Sequence, residues 1–172
     1  MEKQQAVAAG ILDANVMIDY GSTDPSVLRL VTRHICRLAV IDFVLAEVDQ
    51  FSTDDCHRLG IQIINADIGD LISAGNPCKG LSFQDQLCLS VSRRLHLTCI
   101  TNDGKLRREC SKERIEVMWG LNLMLDLVRK GKLNSHRAHQ IVRDMQEINP
   151  CITKSVVADF IDKVGYTEQE SS

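Results

Sequence analysis

The sequence of 172 residues predicts an α/β fold, a mainly parallel sheet covered by helices on both faces. Two observations carry that expectation. Apolar runs of strand length alternate with helix signals as far as about residue 118, and such alternation builds parallel sheets. The composition, 44% hydrophobic and 25% charged, is that of a globular chain able to build a core without staples. We read residues 1–166 as a single domain, with a core at about 7–120 and a helical extension at about 121–166. The tail 167–172 is expected to be disordered.

The elements follow in order. Val7 to Asp13 reads as the first buried strand, with a turn and a helix start directly after it. Asp24-Pro25 marks a helix start, and Val27, Leu28, Val31, Ile35 and Leu38 supply its apolar face. Ala39-Val40-Ile41 suits a second strand, and Val44, Val48 and Phe51 have the spacing of one helix face. Gly60 to Ile64 is a third strand, and Asp67 to Ala74 a short helix. Gly75-Asn76-Pro77 and Gly80 break the pattern. The best-marked helix begins at Leu81-Ser82-Phe83-Gln84-Asp85 and runs to about Leu95. Leu97 to Thr101 is a fourth strand, Asn102-Asp103-Gly104 opens another helix, and Ile115 to Met118 is a short fifth strand. Three helical stripes complete the chain, on Leu121/Leu125/Val128, Ala138/Ile141/Val142/Met145 and Val156/Val157/Phe160/Ile161/Val164.

A net charge of −3 neither announces nor excludes a nucleic-acid binder, because local patches matter more than totals. The seven cysteines are scattered singly with no CxxC pair, which suits free thiols better than a disulfide framework or a zinc site. His136 and His139 lie one helical turn apart without matching ligands and read as structural or solvent-exposed. The apolar run before Asp13 is too short to span a membrane, and a cytoplasmic location is expected.

Four carboxylates occupy special places in this plan. Asp13 and Asp103 end strands, Glu47 borders a buried stripe, and Asp85 lies in the first turn of its helix. Each has a bland explanation: Asp13 and Asp103 as helix N-caps, Ser82–Asp85 as a capping box, Glu47 as a solvated side chain. Together, at the carboxyl edge of a parallel sheet, they would crowd negative charge into one crevice. Such a cluster costs stability unless cations sit among its members. Oxygen donors of this kind suit Mg²⁺ or Mn²⁺, and two such ions roughly 4 Å apart can drive phosphoryl displacement by activated water. Asp19 is left outside this set.

Four segments carry a family resemblance: Leu12-Asp13-Ala14-Asn15-Val16, Val44-Leu45-Ala46-Glu47-Val48, Phe83-Gln84-Asp85 and Ile100-Thr101-Asn102-Asp103. In order and spacing they resemble the acidic motifs of PIN-domain ribonucleases, and the chain looks closest to the toxins of bacterial type II toxin–antitoxin pairs. Trp119-Gly120 and Ile148-Asn149-Pro150 belong to a segment similar to the helical extension of some members. The resemblance implies a three-layer α/β/α PIN-like fold and a divalent-metal-dependent endoribonuclease. In it Asp13, Glu47, Asp85 and Asp103 are catalytic metal ligands, with Asn15 and Asn102 beside them. It also implies a homodimer and an antitoxin partner, with docking surfaces on the helices between Asp24 and Phe51. The residue after the third acid is Gln86, where the family often has a small one.

A polyanion approaching an acidic crevice needs cations on the rim. Arg93, Arg94, Lys105, Arg107 and Arg108 are the candidates for RNA contact, with Lys112 and Arg114 nearby. With one Trp, two Tyr and four Phe, no aromatic stacking platform is evident. Two rival functions remain. One is a non-catalytic interaction module on the same scaffold. The other is a haloacid-dehalogenase-like phosphatase, which wants a second acid two residues after Asp13, where this chain has Asn15.

Overall fold

A computed structural model of the protein describes residues 9–76 and 80–165. Five parallel strands form one sheet in the order β3-β2-β1-β4-β5: β1 (Ala9–Leu12), β2 (Arg37–Ile41), β3 (Ile61–Ile64), β4 (Thr98–Ile100) and β5 (Val117–Met118). The central strand is buried on both faces, since Ile11 and Leu12 point opposite ways and both are fully covered.

The helices sort into two layers by contact. On one side lie α1 (Ala14–Thr23), α2 (Ser26–His34) and α4 (Thr53–Leu59), joined by the extension α8 (Gly120–Arg129), α9 (Ser135–Ile148) and α10 (Lys154–Val164). On the other lie α5 (Ile68–Gly75), α6 (Phe83–Leu95) and α7 (Gly104–Lys112). This is what right-handed crossovers require. The chain moves one way across the sheet from β1 to β3, then reverses through β4 and β5, so later helices cover the opposite face. The reversal places a topological switch point between the adjacent ends of β1 and β4. Both strands there lead straight into capped helix N-termini, α1 and α7.

The extension is fastened by specific polar bonds. Tyr20 Oη donates to the carbonyl of Gly120 at 2.7 Å, and Asn149 Nδ2 donates to both oxygens of Asp19 at 3.0 Å. Gly120 has no room for a side chain, because an added Cβ would lie 2.7 Å from Val16 Cγ2.

Some expectations need correction. Leu38 belongs to β2 and not to the face of α2. The helix expected across Val44 to Phe51 is a single turn, α3 (Asp42–Ala46), ending at a C-cap on Glu47. Val48 and Phe51 are buried as expected, but from a connecting segment. That segment ends at the Ser52–Asp55 capping box, which starts α4, and Gly60 closes α4 in the left-handed conformation. An i, i+4, i+7 apolar pattern reports burial, and here the backbone achieves it with one helical turn and the segment after it. Val7, Pro77 and the tail 167–172 lie outside the described residues. Cys56, Cys88, Cys99 and Cys110 are buried free thiols. No helix among the described residues is long and apolar enough to cross a membrane.

Candidate functional site

Strand register sets the geometry of the candidate site. Leu12 pairs with Ile100, and Ile100 pairs with Met118. The next residue on each strand, Asp13, Thr101 and Trp119, therefore forms one row across the carboxyl edge. Backbone bonds extend the ladder into that row: Asp13 N–H donates to Ile100 at 3.1 Å and Thr101 N–H to Met118 at 3.0 Å.

Asp13 is the centre of the row. It is 2% exposed, and burial pushes its carboxyl up to about pH 7. Hydrogen bonds from Thr101 and Val16 pull the other way, and the charges of Asp85 and Asp19 add to the rise. Its Oδ1 caps α1 by accepting from Val16 N–H at 2.8 Å, and its Oδ2 accepts from Thr101 Oγ1. The Thr101 hydroxyl in turn accepts from Asp103 N–H at 3.0 Å. One fully buried threonine thus couples the ends of β1 and α7.

The other acids arrive as caps. Asp103 Oδ1 accepts from the backbone of Lys105 and Leu106 at 2.6 and 3.1 Å. Asp85 Oδ2 accepts from Ser82 N–H at 3.1 Å, completing the capping box of α6. Among the described residues, Oδ1 of Asp85 and Oδ2 of Asp103 accept no hydrogen bond. Capping explains where these acids stand. A helix N-terminus favours a carboxylate, and the N-termini of α1 and α7 open at the sheet's carboxyl edge, with Asp85 of α6 close enough to act on Asp13.

Glu47 departs from the set. It is exposed at the C-cap of α3. The single-turn helix explains this, because Glu47 no longer lies inside a helix with one side packed. Asn15 is exposed on α1. Asn102 is buried as a linker, donating to Asp19 Oδ2 at 3.2 Å and accepting from Gly120 N–H at 2.9 Å.

Asp19, Thr101 and Asn149 are the residues that sequence reasoning missed. Asp19 is 2% exposed, and burial raises it to about pH 6 against hydrogen bonds from Asn149 and Asn102. Its position, three residues after Val16 and one before Tyr20, is on the buried face of α1, and that spacing was the available signal. Asn149 comes from the extension, more than a hundred residues away in sequence, and nothing local announces the pairing.

The basic candidates divide. Arg94 is committed to Asp70 at 2.6 Å and Asp67 at 3.1 Å, and Arg93 to Glu113 at 2.6 Å. Lys105 and Arg108 are exposed on α7. Arg107 lies over Trp119, its guanidinium carbon 3.6 Å from the ring centroid.

Among solved structures, the chain is similar to a PilT N-terminus domain protein from the hyperthermophilic archaeon Sulfolobus solfataricus P2. The TM-score is 0.46 at 8% identity, over 69% of this chain and 92% of that one. No protein-family model and no curated protein matches the chain.

Proposed function

We propose that the protein is a divalent-metal-dependent endoribonuclease of the PIN type, working at the β1/β4 switch point. One observation carries the reading. Asp13 is almost wholly buried where a parallel sheet binds ligands, in the field of Asp85, and held near pH 7. Beyond its cap on α1, an acid kept that way costs the fold stability once it ionises, and perturbed carboxyls in such places are functional-site candidates.

Among the described residues no three His, Cys, Asp or Glu side chains are grouped to hold one ion, so the proposed site rests on two carboxylates, Asp13 and Asp85, and its protein donors would be oxygen alone. Mg²⁺ and Mn²⁺ suit such a site, since Mg²⁺ keeps several waters and takes one or two carboxylates beside substrate phosphates. Asp13 and Asp85 would hold the ion, and Asp103 would bind its water shell through the oxygen left over from capping. A bound ion would activate water and offset charge on the phosphodiester. Thr101 orients Asp13 and favours its ionised form. Lys105 and Arg107 would hold the RNA backbone against the repulsion of the acids. Glu47 has no part in this centre.

Calorimetric titration with Mn²⁺ tests the proposal. The protein should bind the ion, Asp13→Asn should lose binding, and cleavage of RNA should require both metal and Asp13. Unchanged cleavage by purified Asp13→Asn protein would overturn it. One observation favours a non-catalytic interaction module instead: Asp13, Asp85 and Asp103 all serve as helix caps. Absence of Mn²⁺ binding at millimolar concentration would select that reading. The toxin role and its antitoxin partner rest on the resemblance of the four acidic segments and would be tested by co-purification with a neighbouring gene product.

A further inference from the structure

We infer that Trp119, its stacked Arg107 and the adjoining cavity form a seat for an unpaired base of single-stranded nucleic acid, Arg107 holding a phosphate beside it. The inference rests on the nuclease reading for the identity of the polymer.

Four observations carry it. First, Trp119 stands in the same row as Asp13 and Thr101, two strands from Asp13. At a strand spacing of about 4.8 Å its backbone lies about 10 Å away, within reach of one bound strand. Second, the Arg107 guanidinium carbon sits over the ring, 3.6 Å from its centroid, and burial alone perturbs its charge, with no carboxylate paired to it among the described residues. Its Nε is buried without a hydrogen-bond partner among the described residues. An arginine held in place with its charge uncompensated suits a phosphate, which takes a planar fork of donors. Third, the Trp119 side chain lines a cavity of about 350 Å³ between α8 and α10, within the range of small-ligand sites. Fourth, the cavity walls match a heteroaromatic ring. Trp119 and Phe160 offer apolar surface, and Asn122 and Ser155 offer hydrogen-bonding groups. Lys163 and Asp159, paired at 2.8 Å, stand beside them. Bases stacked in a duplex cannot enter such a seat, so the substrate is single-stranded.

Trp119 is the only tryptophan, so its fluorescence reports the seat directly. The intact protein in EDTA is titrated with a short single-stranded oligoribonucleotide and with the duplex of the same sequence. The single strand should quench Trp119 saturably, and the duplex should not. By anisotropy of labelled single strand, Trp119→Leu should weaken binding about 5- to 100-fold. Arg107→Ala should weaken it about tenfold or more, as loss of a charged hydrogen bond does. Urea melts of both variants separate lost binding from lost folding, and Arg107→Lys, which keeps charge without the planar fork, should fall between. Unchanged fluorescence at saturating RNA, or equal quenching by duplex, would overturn the inference. So would a concentration-dependent fluorescence change without RNA, which would mean that a second copy or an apolar partner segment fills the cavity. Metal-dependent cleavage without a Trp119 response would sink the seat and leave the nuclease standing. The reverse result would sink the nuclease and leave the seat.

Discussion

Replacing Asp13 by Asn should stabilise the metal-free protein at alkaline pH while abolishing cleavage. In the folded protein Asp13 keeps its proton up to about pH 7, whereas an unfolded chain releases it near 3.8. Between those values the folded state binds more protons than the unfolded one, so stability falls as pH rises. This contribution is fully present below about pH 4 and is lost by the time pH has passed through 7. At 1.36 kcal/mol per pH unit, the loss at pH 8 amounts to about 4 kcal/mol. An amide avoids it. Its oxygen can still accept from Val16 N–H, and its nitrogen can donate to the Thr101 hydroxyl, so cap and link both survive. Urea unfolding in EDTA at pH 5, 6, 7 and 8 measures the effect. The difference between wild type and variant should open toward high pH, reaching about 4 kcal/mol in favour of Asp13→Asn. Asp19, held at about pH 6, slopes the same way in both proteins, and only its interaction with the Asp13 charge remains in the difference. Adding Mn²⁺ at pH 8 should then restore the wild type alone, because a ligand that binds only the folded state adds stability. A wild-type-to-variant difference that stays flat from pH 5 to pH 8 would refute the reasoning, since Asp13 would then be ionised throughout.

Other outcomes follow from the same contacts. Thr101→Val removes the donor that favours ionised Asp13, so the pH at which the wild type loses stability should move upward in the same urea series. Asn149→Ala leaves the Asp19 carboxylate short of a donor and should cost about 1–3 kcal/mol, read by the urea midpoint. It should also raise the Asp19 titration above about pH 6, because the lost bond is one that lowers it. Gly120→Ala forces a Cβ to 2.7 Å from Val16 and about 3 Å from Asn102, and should destabilise by about 1–3 kcal/mol in thermal melts. Glu47→Gln should leave Mn²⁺ affinity within about twofold in calorimetry, a small effect of the kind expected at exposed sites, whereas Asp85→Asn should reduce it clearly.

The strands were legible because buried apolar runs leave a contiguous trace, and the core of each of the five lies inside its expected run, with ends a residue or two adrift. Asp13, Asp85 and Asp103 were legible for a related reason. Each stands at a helix start, and a carboxylate that caps a helix announces both the turn and itself. Sequence alone therefore determined the alternating α/β plan and the helix starts that Asp13, Asp85 and Asp103 cap. The helix placed around Glu47 was drawn too long because apolar spacing reports which residues are buried and not whether a helix or a connecting segment buries them. Tertiary structure alone decided the rest. It set the register that puts Thr101 beside Asp13 and Trp119 in their row, and the folding back of α9 that brings Asn149 to Asp19. It also spent Arg93 and Arg94 on acids of their own and left Arg107 on Trp119. Pairings across such separations depend on strand order and on which face each crossover covers. Those are properties of the packed sheet, and no window of neighbouring residues encodes them.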